Sequence, residues 1–141
     1  MNGITQYLGG NDIINHSIDT KMDLLEIANE GITKQSIIFF SEKINLSLKS
    51  LAGLLDISAR TIQRRSDCEP LSREISEHIL QLAHVYSRGE EVFGNLKKFN
   101  QWLNCSCIAL DNKTPLSLLN SRYGIEMVID ELGKIEYGVY A

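Results

Sequence analysis

Apolar residues recur at three- and four-residue intervals along nearly the whole chain, and only two prolines, Pro70 and Pro115, stand among its 141 residues. That interval is the period of an α-helix seen from one side, whereas a half-buried strand alternates at every second residue. No alternating run flanked by turn dipeptides competes with it. The chain therefore reads as all-α.

The individual helices follow from the same period. Residues 21–29 (KMDLLEIAN) set Met22, Leu25 and Ala28 on one face, and Gly31 reads as a C-terminal stop. Thr33 is placed to cap a helix over 33–43, and shorter helices over 47–55 and 58–65 come next. A longer helix is expected from Ser72 to Arg88, with Ile75, Ile79, Leu82 and Val85/Tyr86 in step and Gly89 ending it. Residues 90–104 carry Val92, Leu96, Phe99 and Leu103 in step, with Trp102 alongside. After the polar break Asp111-Asn112-Lys113, Thr114 and Pro115 read as the N-cap and first residue of a short helix, where a missing proline N–H costs nothing. A last helix is expected from Tyr123 to Leu132, followed by Gly133. The division expected is an acidic N-terminal helical segment over 1–30, a helix-turn-helix domain over 31–89 and a small helical C-terminal domain over 90–141.

Composition bounds the function class. An apolar fraction of 43% and a charged fraction of 23% are ordinary for a soluble globular protein. No apolar run approaches the ~20 residues that span a bilayer, and the start MNGITQYLGGND lacks the basic and apolar regions of a signal peptide. A cytoplasmic protein that engages no membrane is expected. Cys68, Cys105 and Cys107 are an odd number, and Cys105-Ser106-Cys107 is too close for a relaxed disulfide. They read as small semi-buried thiols, because no second Cys or His pair stands at metal-site spacing. His78 and His84, six residues apart, do not share a helical face. No metal and no cofactor are expected. Neither a Ser/His/Asp grouping in workable order nor a glycine-rich phosphate loop is present, Gly9-Gly10 being a lone pair, and His16, His78 and His84 have no nucleophile signature near them. A binding protein is expected rather than an enzyme.

Net charge is −4, from 14 basic and 18 acidic residues, which on its face argues against nucleic acid. Screening, however, confines each charge to about 10 Å, so the distribution matters more than the sum. Residues 1–30 set Lys21 against Asp12, Asp19, Asp23, Glu26 and Glu30, a local −4, whereas residues 47–65 set Lys49, Arg60, Arg64 and Arg65 against Asp56 alone, a local +3. An acidic chain with one basic island says where an anionic partner would bind.

That island coincides with a packing pattern. Ser47–Arg65 (SLKSLAGLLDISARTIQRR) has a small residue, Ala52, where two short helices would cross, and Leu51, Leu55, Ile57 and Ile62 as an inward set. Ser58 is placed to cap the second helix, whose outer side then shows Ala59, Arg60, Gln63 and Arg64. Arginine and glutamine are residue types that read base edges and grip phosphate. DNA contacts are therefore expected at Ser58, Ala59, Arg60, Gln63 and Arg64. Two positions depart from the usual pattern: Asp56 stands where glycine commonly supplies a positive φ, which aspartate tolerates better than most residues, and Arg65 stands where an apolar residue is common. Two ordinary amphipathic helices with a solvated basic face, or a helix-turn-helix kept for dimerisation, remain open on these residues alone. Because one short recognition helix reads few bases, a homodimer on a two-fold operator is expected.

The segment from Phe99 onward carries FNQWL, then ALDNKTPLSLL, then LGKIEYGVYA. Its Trp102-Leu103 pair, its Lys113-Thr114-Pro115-Leu116 helix start and its Ile135-Glu136-Tyr137-Gly138-Val139-Tyr140-Ala141 ending strongly resemble the C-terminal toxin-binding domain of the Xre/MbcA/ParS antitoxin family. Together with the preceding helix-turn-helix, the resemblance covers about residues 32–141. Asn104–Ile108 (NCSCI) departs from it, relatives more often having a proline-containing loop there. The resemblance implies a bacterial type II toxin–antitoxin system, a RES-domain toxin that consumes NAD⁺ as partner, and repression of the shared operon. It also implies that Glu136, Tyr137, Gly138, Val139, Tyr140 and Ala141 lie over the toxin's active-site entrance. The residues themselves allow two readings: Tyr137 and Tyr140 offer the amphipathic aromatic area that interfaces favour, or they fold back onto the last helix as core. A stand-alone helix-turn-helix regulator whose C-terminal domain serves dimerisation is the alternative function.

Overall fold

The computed structural model describes residues 2–10, 14 and 18–138. Among them are eight α-helices and no strand, so the all-α expectation holds: α1 Asn2–Tyr7, α2 Lys21–Glu30, α3 Lys34–Lys43, α4 Leu48–Leu54, α5 Ala59–Gln63, α6 Arg73–Phe93, α7 Leu96–Leu103 and α8 Arg122–Glu136. Ile108–Leu110 and Leu116–Leu118 form short 3₁₀ turns. The chain divides into two compact units, residues 1–84 and 85–141, the division falling within α6.

In the first unit Ile37, Phe40, Leu51, Ile62 and Ile79 are fully buried. The N-terminal segment belongs to this core: Ile4, Tyr7 and Leu8 are buried, and Tyr7 meets Phe40 of α3 edge-on at 6.4 Å between ring centroids. The Lys43 ammonium lies 4.9 Å over the same tyrosine ring. Buried serines answer backbone groups that burial would otherwise leave without partners: the Ser36 hydroxyl donates to the Leu8 carbonyl, and the Ser76 hydroxyl accepts from the Ile32 N–H at 2.8 Å.

Several caps follow the sequence. Thr20, Thr33, Ser47 and Ser58 each accept from the third amide of the helix they open. Gly31 (φ 93) ends α2, its N–H bonding the Ile27 carbonyl, and a Cβ there would stand 2.5 Å from the Leu71 carbonyl oxygen. The face of α2 differs from expectation. Of the expected row only Ala28 is buried, beside Ile27; Met22 and Leu25 are 60% and 44% exposed. The inward row is Leu24, Ile27 and Ala28, at i, i+3 and i+4, one position out of phase with the row through Met22 and Leu25.

In the second unit the rings of Tyr86, Phe93, Phe99 and Trp102 cluster, with Phe99 at 5.4–5.9 Å from the other three. Gly89 does not end α6. It lies inside the helix, and Phe99 occupies the space its Cβ would take, 2.3 Å away. The helix stops instead at Gly94, whose φ of 87° and N–H to the Glu90 carbonyl (2.8 Å) close it. Gly133 is likewise internal, so α8 runs on to Glu136. The Thr114 hydroxyl accepts from the Ser117 N–H as a cap should, but the turn it opens is 3₁₀ rather than α. At the start of α8 the Ser121 hydroxyl accepts from the Gly124 N–H at 3.1 Å, and a Cβ on Gly124 would meet the Leu118 carbonyl oxygen at 1.8 Å.

Candidate functional site

The basic island folds as two short helices joined by a tight turn. Leu51, Ala52, Leu55 and Ile62 are buried between them, and Ile57 is half-buried. Asp56 takes φ 57, the left-handed conformation asked of it. Its N–H reaches the Gly53 carbonyl at 3.2 Å and the Ile57 N–H reaches the Ala52 carbonyl at 3.0 Å. Those are the paired bonds of a Schellman cap. Asn45 (φ 58) repeats the device at the end of α3, with bonds from Asn45 N–H to Glu42 and from Leu46 N–H to Ser41.

Arg60, Gln63 and Arg64 are exposed side by side on and just after α5, and Ala59 is half-exposed. Ser58 is exposed as well, but its hydroxyl already accepts from the Thr61 N–H (3.2 Å) and lies 3.0 Å from the Thr61 hydroxyl. Arg65 has a different part: its guanidinium donates to the Pro70 carbonyl at 3.2 Å and pairs with Glu69 at 3.4 Å. Lys34, which nothing in the sequence pattern marks, donates to the Gln63 and Arg65 carbonyls at 3.2 and 3.1 Å. These carbonyls stand at the C-terminal end of α5, where a helix lacks internal partners and favours a cation. The Gln35 N–H donates to the Asp67 carbonyl and the Leu71 N–H to the Ile32 carbonyl, so the start of α3 grips the chain that leaves α5.

In the second unit, Leu103 is buried and Trp102 stacks on Phe99 at 5.9 Å. The NCSCI loop closes on itself, with Cys107 N–H to the Lys113 carbonyl (3.1 Å), Asn112 N–H to the Cys107 carbonyl (2.9 Å), and left-handed Asp111 and Asn112. Ile108 at its tip is 88% exposed, and Tyr123 and Met127, one turn apart on α8, are 81% and 44% exposed. The period-based reading does not single these out, because exposure of an apolar residue is set by what packs beside it. His78 is half-buried and His84 exposed; His16 lies outside the described residues. No described group of three His, Cys, Asp or Glu could hold a metal, and no described helix is long and apolar enough to cross a membrane.

At the end of α8, Glu136 receives both ends of the Arg88 guanidinium, Nη1 at 2.7 Å and Nη2 at 2.8 Å. Those hydrogen bonds hold the Glu136 carboxyl below the usual glutamate range; burial opposes them, and the Arg88 charge and then the Tyr137 hydroxyl add to the lowering. Arg88 is raised in turn, chiefly by the same hydrogen bonds. Tyr137 is 79% exposed and Gly138 takes φ 65. Val139, Tyr140 and Ala141 lie outside the described residues.

Residues 23–84 match the antitoxin Xre-like helix-turn-helix domain, and residues 88–138 match the antitoxin Xre/MbcA/ParS C-terminal toxin-binding domain. The chain belongs to the Xre/MbcA/ParS antitoxin family. Among curated relatives, this antitoxin is 23% identical to a Prs ADP-ribosylating antitoxin of a Sphingobium species, over 85% of this chain and 82% of the relative. It is 29% identical to antitoxin Xre of Pseudomonas putida over 58% of this chain, a match that spans about half (52%) of that relative. The antitoxin thus carries a DNA-binding type of domain and a toxin-binding domain, and its family is one of binding proteins rather than enzymes.

Proposed function

We propose that this antitoxin neutralises a RES-domain, NAD⁺-degrading toxin by direct binding, with Glu136–Ala141 covering the toxin's active site. In the same reading it represses its own operon as a homodimer in the cytoplasm, contacting DNA through Ser58, Ala59, Arg60, Gln63 and Arg64. The observation that carries the reading is the succession, in one chain, of a helix-turn-helix domain and a toxin-binding domain. It is supported by the exposure of Arg60, Gln63 and Arg64 in the basic island and by the exposed Tyr137 beside a fixed helix end.

Deleting Glu136–Ala141 tests the two halves at once. Operator binding should persist while a co-expressed RES-domain toxin goes free and arrests growth. Full neutralisation by the shortened form would overturn the covering role of the tail.

The Sphingobium relative, a Prs ADP-ribosylating antitoxin, favours a second reading of the toxin's chemistry. ADP-ribosylation also consumes NAD⁺, but it moves ADP-ribose to a protein instead of water. Incubating the toxin with labelled NAD⁺ and cell extract separates the two: label on protein supports transfer, and free ADP-ribose supports degradation.

A further inference from the structure

We infer that Arg88 is a positioning residue for the toxin-facing end of this antitoxin, its paired guanidinium anchoring the last turn of α8 from which Tyr137 and Gly138 follow. The inference rests on the proposed reading that residues 136–141 meet the toxin.

Glu136 is the last residue of α8. A carboxylate there faces the negative end of the helix dipole, so on its own it would favour fraying of the final turn. Arg88, on α6, reverses that balance. Its two terminal nitrogens meet the two oxygens of Glu136 at 2.7 and 2.8 Å, and a fork-to-fork pair of this kind fixes direction as well as distance. Both side chains are partly withdrawn from solvent, at 27% and 32% exposure. Glu91 lies at 3.4 Å from the same guanidinium and is 67% exposed, a looser second partner.

The anchored turn carries the end of the described chain. The Tyr137 N–H bonds the Gly133 carbonyl at 3.1 Å and the Gly138 N–H bonds the Ile135 carbonyl at 3.2 Å. With both of its oxygens engaged by Arg88, Glu136 serves the covering tail by holding it in place, its carboxylate committed to that anchor.

A double-mutant cycle on the full-length chain tests this. The variants are Arg88→Gln, Glu136→Gln, the two combined, and Arg88→Glu with Glu136→Arg in a Glu91→Gln background, so that the new glutamate has no acidic neighbour. The readouts are affinity for the RES-domain toxin of the proposed function, amide exchange of Tyr137 and Gly138, and operator binding as a control for folding. Each single variant should weaken toxin affinity about tenfold and speed exchange of both amides. The combined variant should be no worse than either single one, the charge-swapped chain should recover both properties, and operator affinity should not change.

A loss of affinity on Glu136→Gln but not on Arg88→Gln would mean that the Glu136 carboxylate acts on the toxin independently of Arg88, and would overturn the inference. So would additive losses, unchanged exchange, or a charge swap that restores nothing. If the unaltered chain does not bind the RES-domain protein, the proposed partner is wrong, and the exchange data alone then decide whether Arg88 anchors the helix end.

Discussion

The ring of Phe99 lies directly against Gly89, its nearest atoms 2.3 Å from where a β-carbon on that glycine would stand. Phe99 is fully buried and surrounded by Tyr86, Phe93 and Trp102, so it has nowhere to go. Gly89→Ala gains about 1 kcal/mol of helix propensity but overpacks the cluster, at about 1–3 kcal/mol. A net loss of up to about 2 kcal/mol is expected, visible in a denaturant midpoint followed by Trp102 fluorescence. Gly133, with nothing within 4 Å of its β-position, should respond with the opposite sign: Gly133→Ala should stabilise by about 0.5–1 kcal/mol. Equal responses at the two positions would contradict the packing described.

Lys34 should matter to DNA binding without touching DNA. Its ammonium completes the Gln63 and Arg65 carbonyls at the end of α5. Lys34→Met should lower stability by about 1 kcal/mol and weaken operator binding, while leaving the salt dependence of binding unchanged. A reduced salt slope would instead make Lys34 a phosphate contact.

Arg60 and Arg64 are exposed at the outer side of α5. If an arginine there reads a base, its replacement by alanine costs about 1–3 kcal/mol and relaxes specificity at one position. If it grips phosphate, binding weakens on all sequences and the salt slope falls by about one. Unchanged affinity of the double variant at both low and high salt would remove α5 as the recognition helix.

The anchor at Glu136 has a defined pH window. Arg88 lowers its carboxyl pKa in the folded state, so the pair stabilises above the unfolded glutamate value, about 4.3, and that contribution fades as pH falls through the depressed folded value. Protection of the Tyr137 and Gly138 amides should therefore be flat from pH 8 to about pH 5 and collapse only in more acidic solution. Glu136→Gln, which cannot ionise, should abolish the step.

Local chemistry was readable from the residues alone. The apolar period makes the chain helical, Thr33 and Ser58 announce their caps, and Asp56 stands where a left-handed turn residue is required, as its φ of 57° shows. These signals reside within one turn of chain, where backbone geometry is decided. The glycines show where such reading ends. Gly89 and Gly133 look like stops, but one makes room for a ring ten residues away and the other sits quietly inside α8. The phase of α2 likewise depends on which neighbours cover Ile27 beside Ala28 rather than Met22 and Leu25. Lys34 on Gln63 and Arg88 on Glu136, 29 and 48 residues apart, lie beyond any helical period. Sequence thus determined the helices, their caps and the basic island. Only tertiary packing decided which charges face solvent and which hold a helix end, because pairing depends on distances that no spacing along the chain encodes.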